Sequence, residues 1–211
     1  MKRLTLLMAI LAAVSLAAVG PAGAVKPGRS VTISLSQPIV VFGGTVTLSG
    51  AVSDQQAGQK VVVLAQPYGQ ATFLPVATVD TGSGGSWTYT ATPKIQTAYE
   101  AKSLAATSSS VAIKVRPALT LSRVSVSPTR GTFTVKATAD RSFAGKFVLV
   151  QRLALGRAIL VKKVVLGSDS AATFTTRLSR GTTRLRAVMP TSQTQPGYIA
   201  GQSTVLAVRG A

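Results

Sequence analysis

Gly44 to Leu48 reads GTVTL, and 87 residues later Gly131 to Val135 reads GTFTV, in two stretches that both close on Val-Arg, at Val115-Arg116 and Val208-Arg209. Later landmarks hold a similar offset: Val76 and Val79 against Val161 and Val164, Tyr89 against Phe174, Ala101 against Ala187. The offset drifts by a few residues only in turn-rich stretches, where insertions are tolerated. A repeat of about 90 residues exceeds a solenoid unit and suits a small domain. Two copies of one domain are therefore expected, over residues 25–116 and 117–211.

Outward from the two pentapeptides, apolar residues alternate at a period of two between Gly, Pro, Ser and Asp, and no stretch keeps a helical period for three turns. The chain reads as all-β. Strands are expected near 31–35, 45–52, 60–66, 73–79, 86–91, 98–104 and 110–115 in the first half. The second half repeats them near 119–126, 132–137, 146–153, 159–166, 172–178, 183–189 and 204–208. Val46, Leu48 and Val52 in one copy, and Phe133, Val135 and Ala137 in the other, form the oily side of the second strand, with Thr or Lys on the wet side. Seven short strands per half make each an immunoglobulin-like β-sandwich. Pro117 joins the halves without a flexible spacer, removing one backbone donor and holding Arg116 extended, so limited freedom between them is expected.

The N-terminus opens on Lys2 and Arg3, continues in an apolar run from Leu4 to Val19, and ends in Gly20-Pro21 and Ala22-Gly23-Ala24. This is the pattern of a secretory signal peptide, residues 1–24, cleaved after Ala24. The run is shorter than the about 20 residues of a membrane span, and no second such run follows, so no transmembrane segment is expected after cleavage. The expected location is secreted or extracytoplasmic.

The chain holds neither cysteine nor histidine. Each core must therefore stand without disulfides. Ser-His-Asp and Cys-His catalysis and the usual zinc sites are excluded. The only carboxylates are Asp54, Asp80, Glu100, Asp140 and Asp169; the aspartates sit in or beside turns, where such groups satisfy local backbone donors. No two share a motif for glycoside hydrolysis, and no calcium loop exists. A non-enzymatic protein without metal or cofactor is expected. Trp87 and Tyr89 stand two apart on one strand and are expected in the core; Tyr68, Phe73 and Tyr198, in Gly-rich loops, are expected to be better exposed.

Charge is the most uneven feature. Residues 25–116 carry seven basic and three acidic residues, a net +4, whereas 117–211 carry fourteen and two, a net +12. Arg184 and Arg186 alternate with Leu185 and Ala187, so both arginines face outward, about 7 Å apart. Arg152, near the end of the neighbouring third strand, is expected to join them in one patch. Lys136 and Arg177 are expected on adjacent strands of the opposite sheet, as a second face. Guanidinium groups match phosphate, sulfate and carboxylate oxygens, so the expected partner is an anionic cell-wall polymer or an acidic polysaccharide. The alternative partner is a protein, contacted through loops or a sheet edge in the manner of an adhesin, with the charge serving solubility. Nucleic acid is not expected, because the export signal points outside the cell and the interleaved aromatic and basic pattern of single-strand binders is absent.

The runs GGTVTLSGAVS, AGQKVVVLAQ and GSWTYTATP, and in the second half RSFAGKFVLVQR, RGTTRLRAVMP and PGYIAG, resemble tandem immunoglobulin-like or fibronectin-III-like modules of exported bacterial proteins. That resemblance spans nearly all of the mature chain and rests on core and turn residues. It implies an extracytoplasmic, non-enzymatic module of adhesive or envelope-associated proteins. The chain departs from the pattern in carrying Leu185 where the first half has Tyr99, and no catalytic or anchoring domain is expected beside the modules.

Overall fold

The computed structural model describes residues 28–210, and the signal peptide expected at 1–24 lies outside them. In the first half the strands are β1 (Ser34–Leu35), β2 (Ile39–Val41), β3 (Val46–Ala51), β4 (Lys60–Pro67), β5 (Leu74–Asp80), β6 (Ser86–Ala91), β7 (Thr97–Ser103), β8 (Ala106–Thr107) and β9 (Val111–Arg116). One sheet runs β1-β3-β6; the other runs β2-β9-β7-β4-β5, with β8 also on β7. The second half holds β10 (Ala118–Val126), β11 (Arg130–Thr138), β12 (Phe147–Ala154), β13 (Arg157–Val165), β14 (Ala171–Arg177) and β15 (Gly181–Met189). A single helical turn α1 (Thr191–Thr194) and the strands β16 (Gly201–Gln202) and β17 (Leu206–Gly210) complete it. Its sheets run β10-β11-β14 and β13-β12-β15, with β16 and β17 both on β15.

Each expected strand is present, and the order is the same in both halves. The first, second and fifth of the seven recurrent strands share one sheet, and the fourth, third, sixth and seventh share the other. Strand pairing is antiparallel except for β2, which lies parallel to β9, and one isolated parallel bridge joins Arg180 to Gly210. The sequence reading missed β2, β8, β16 and α1, segments of two to four residues that offer no period to count. Strand β2 forms because the chain leaves β1, turns at Gln37-Pro38 and crosses to the other sheet, where Lys114 N donates to Pro38 O at 2.9 Å and Phe42 N donates to Arg116 O at 2.8 Å.

Period-two burial builds the cores. Val46 and Leu48 on β3 and Trp87 on β6 lie buried with Val61 and Val63 on β4, Ala101 on β7, and Ile113 and Val115 on β9. Each large apolar side chain so buried contributes about 1.5–3 kcal/mol. The indole of Trp87 fits because its cross-strand partner is Gly50. A Cβ at Gly50 would lie 1.9 Å from Thr32 O and 2.8 Å from the indole nitrogen, so no side chain can occupy that position unless the strands move apart. In the second half Phe133 and Phe174 stand opposite each other on β11 and β14 with ring centroids 5.7 Å apart, over Val148, Val150, Leu185 and Met189.

Between β9 and β10 stands Pro117 alone, itself buried. The segment between β15 and β17 folds back over this junction. Tyr198, expected to be exposed, is instead buried, at 2% exposure. Its hydroxyl donates to Lys94 O of the first half at 2.7 Å and accepts from Asp140 N of the second at 3.2 Å. Its ring meets Phe143 edge-on at 6.0 Å, and the Arg141 guanidinium lies 5.2 Å from the Phe143 ring and 5.4 Å from that of Tyr198. Arg141 also donates to the carbonyl oxygens of Thr194 and Gln195. Gln96 N donates to Gly197 O, and Ile199 N to Val115 O, both at 3.0 Å. The flanking Pro and Gly of PGYIAG make this tyrosine read as a loop tip; the neighbouring half is what buries it.

Candidate anionic-polymer surface

Strand β15 is the centre of the basic surface. Leu185 and Ala187 are buried, so the pleat turns Arg184 and Arg186 to the outer face of their sheet. Arg184 is exposed, and Arg186 is half-buried, donating to Gln151 Oε1 on β12 at 2.9 Å. Gln151 is the cross-strand partner of Arg186, and Leu153 is that of Arg184. Opposite residues of an antiparallel pair share a face, so Gln151 and Leu153 belong to the outer surface with the two arginines.

Arg152 does not join them. It pairs with Leu185, which is 1% exposed, and therefore projects to the inner side of the sheet, where it donates to Ser179 Oγ at 2.9 Å across the open end of the sandwich. The sequence held the signal: Val148, Val150 and Arg152 are two apart, and a strand that buries two valines turns Arg152 the same way. The expected patch of Arg152, Arg184 and Arg186 is thus divided between two faces.

Strands β11 and β14 are neighbours, as expected, and Lys136 and Arg177 are both exposed. They occupy opposite ends of the ladder, since Lys136 stands opposite Ala171 and Arg177 opposite Arg130. Six residues separate the ends, about 20 Å of strand. Between them run hydroxyl pairs, Thr132 with Thr175 at 3.2 Å and Thr134 with Thr173 at 3.0 Å. The close basic pair on this sheet is Arg130 with Arg177; SPTRG reads as a turn, which hides Arg130 in the sequence.

The four aspartates are engaged locally. Asp169 Oδ1 accepts from Ala171 N at 3.1 Å, Asp80 is 2.7 Å from Lys60 Nζ, and Asp140 is 3.8 Å from Lys94 Nζ. Asp54 accepts from Gln59 at 2.8 Å and from Arg29, and these partners hold its carboxyl below the usual range, the Gln59 hydrogen bond contributing most. Among the described residues no group of three or more His, Cys, Asp or Glu gathers to hold a metal ion, and no helix is long and apolar enough to cross a membrane. Trp87 is buried as expected, with Tyr89 partly buried against the core, and Tyr68 is exposed.

No family model and no curated protein matches the chain. Among solved structures it is similar to the crystal structure of a tetra-tandem repeat in the extending region of a large adhesion protein, at 17% identity and a TM-score of 0.38. The match covers 86% of this chain and 49% of that one, so the chain spans about half the length of the adhesion-protein repeat region. At that level of likeness no partner or activity transfers between the two.

Proposed function

We propose that the chain is an exported, non-enzymatic binding or scaffolding protein of the cell envelope or extracellular space, built of two domains, 25–116 and 117–211. The second attaches to an anionic polymer, and the first acts as a nearly neutral spacer or protein-contact module. The observation that carries this reading is the outward pair Arg184 and Arg186 on a half of net +12 whose two carboxylates, Asp140 and Asp169, are already engaged elsewhere. Arg130, Arg177 and Lys136 extend the positive field to the other sheet. Binding of this kind releases counterions and weakens steeply with salt. Sedimentation of the chain lacking residues 1–24 with isolated cell walls and with acidic polysaccharide, over a salt series, tests it: steeply salt-dependent binding is expected, and no binding at any salt overturns it.

A second reading rests on β2, an edge strand that presents Ile39 and Val41 partly to solvent. Such an edge takes an added strand from a protein partner. Binding through it would be nearly indifferent to salt, and the same series separates the two readings.

A further inference from the structure

The outer basic face does not stop at the second half. A cleft of about 540 Å³ lies where the halves meet, lined by Ile39, Val41 and Arg116 from the first and by Arg186 and the Gln202–Val205 segment from the second. A second cleft, of about 380 Å³, lies at the β12–β13 hairpin and is lined by Leu155, Arg157, Arg184 and Arg186. Arg186 lines both. Arg116 and Arg186 line the first cleft, and Arg186, Arg184 and Arg157 line the second.

None of these four arginines forms an ion pair with a carboxylate among the described residues. Arg116 and Arg186 each carry a buried Nε with no hydrogen-bond acceptor, as do Arg29, Arg141 and Arg152 outside these two clefts. An orphaned donor is costly, and the Nε and Nη hydrogens of one guanidinium form a fork that two oxygens of an oxyanion satisfy together. Ile39, Val41, Val205 and Leu155 are solvent-exposed apolar side chains, and each lines one of the two clefts. Among the described residues no aromatic ring lines either cleft, so the clefts offer no stacking platform of the kind that suits a pyranose. Apolar side chains that line the same clefts as the arginines suit short methylene-bearing segments between single anions.

Resting on the reading above that the basic half takes an anionic polymer, we propose that Arg116, Arg186, Arg184 and Arg157 form one track for a linear polyol-phosphate polymer, which crosses the junction and engages both halves. The phosphates lie on the guanidiniums and the polyol carbons on the apolar walls. Arg116 belongs to the track although it stands in the half with little net charge, and Arg152, which lines neither cleft, does not.

The test uses the chain lacking residues 1–24, with poly(glycerol phosphate) and polygalacturonate as probes, and the variants Arg116→Gln and Arg157→Gln. Lys102→Gln and Lys146→Gln remove the same charge from exposed positions elsewhere, and thermal unfolding of each variant monitors its folding. The expected result is tighter binding of the phosphate polymer, weakened several-fold by either arginine change, with the slope of log affinity against log salt falling by about one for each phosphate that is no longer neutralised. The lysine changes should leave affinity and slope nearly unaltered. Equal weakening by all four variants would overturn the track while leaving attachment by general charge in place. Equal or tighter binding of polygalacturonate would overturn the polyol-phosphate assignment, and binding of neither probe would remove the track together with the polymer reading on which it rests.

Discussion

The hydroxyl of Tyr198 serves both halves at once, giving its proton to Lys94 O and accepting from Asp140 N. Tyr198→Phe keeps the ring against Phe143 and leaves those two backbone groups without their partner. A loss of about 1–3 kcal/mol is expected, read from the midpoint of denaturant unfolding. Two tyrosines also tie stability to alkaline pH. Burial pushes Tyr99 up to about 12 and raises Tyr198 as well. A pKa raised in the folded state means that the fold favours the neutral phenol. The stability from Tyr99 is therefore whole below the ordinary value of 10.0 and is lost as pH rises through about 12. Unfolding free energy should decline across that window, and Tyr99→Phe should make the decline shallower; an identical decline in the variant would show that Tyr99 does not control it. Arg152 shows what a residue-level reading loses: strand end and charge suggested exposure, whereas the parity shared with Val148 and Val150 decided its face.

At the level of elements, the recurrent strands were legible because a half-buried strand must alternate, and the repeated pentapeptides fixed which strand matched which. The short elements were not legible, since β2 and β16 are set by the chain crossing between sheets and by packing at the junction, neither of which leaves a pattern in two or three residues. Pairing was legible as adjacency but not as register: β11 and β14 were placed together correctly, while Lys136 and Arg177 proved to lie at opposite ends of them. Gly50 is the position where β3 depends most on having no side chain. Gly50→Ala sets a methyl against Thr32 O and the Trp87 indole, and a loss of about 1–3 kcal/mol or more is expected from overpacking, with a shift in Trp87 fluorescence. In the second half Phe133→Ala should cost about 3–5 kcal/mol, because the ring is fully buried against Phe174 and no disulfide shares the load. Chemical denaturation of either variant checks these values.

Across the whole molecule, the segment from β15 to β17 couples the halves through Tyr198, Gly197 and Ile199, and with Pro117 it fixes the junction where the track crosses. Calorimetry should give one cooperative transition for the parent chain and two separated transitions for Tyr198→Ala. The same coupling places Arg116 beside Arg186. The uneven charge was readable from composition alone; which arginines stand together was not, because it depends on strand parity and on packing between halves far apart in sequence. The most direct measurement is the affinity of the chain for poly(glycerol phosphate) as a function of salt, made in parallel on the double variant Arg184→Gln, Arg186→Gln. Steep salt dependence is expected for the parent, with the slope reduced by about two in the variant. An unchanged slope in the double variant, or binding by the parent that ignores salt, would contradict attachment of an anionic polymer to this face.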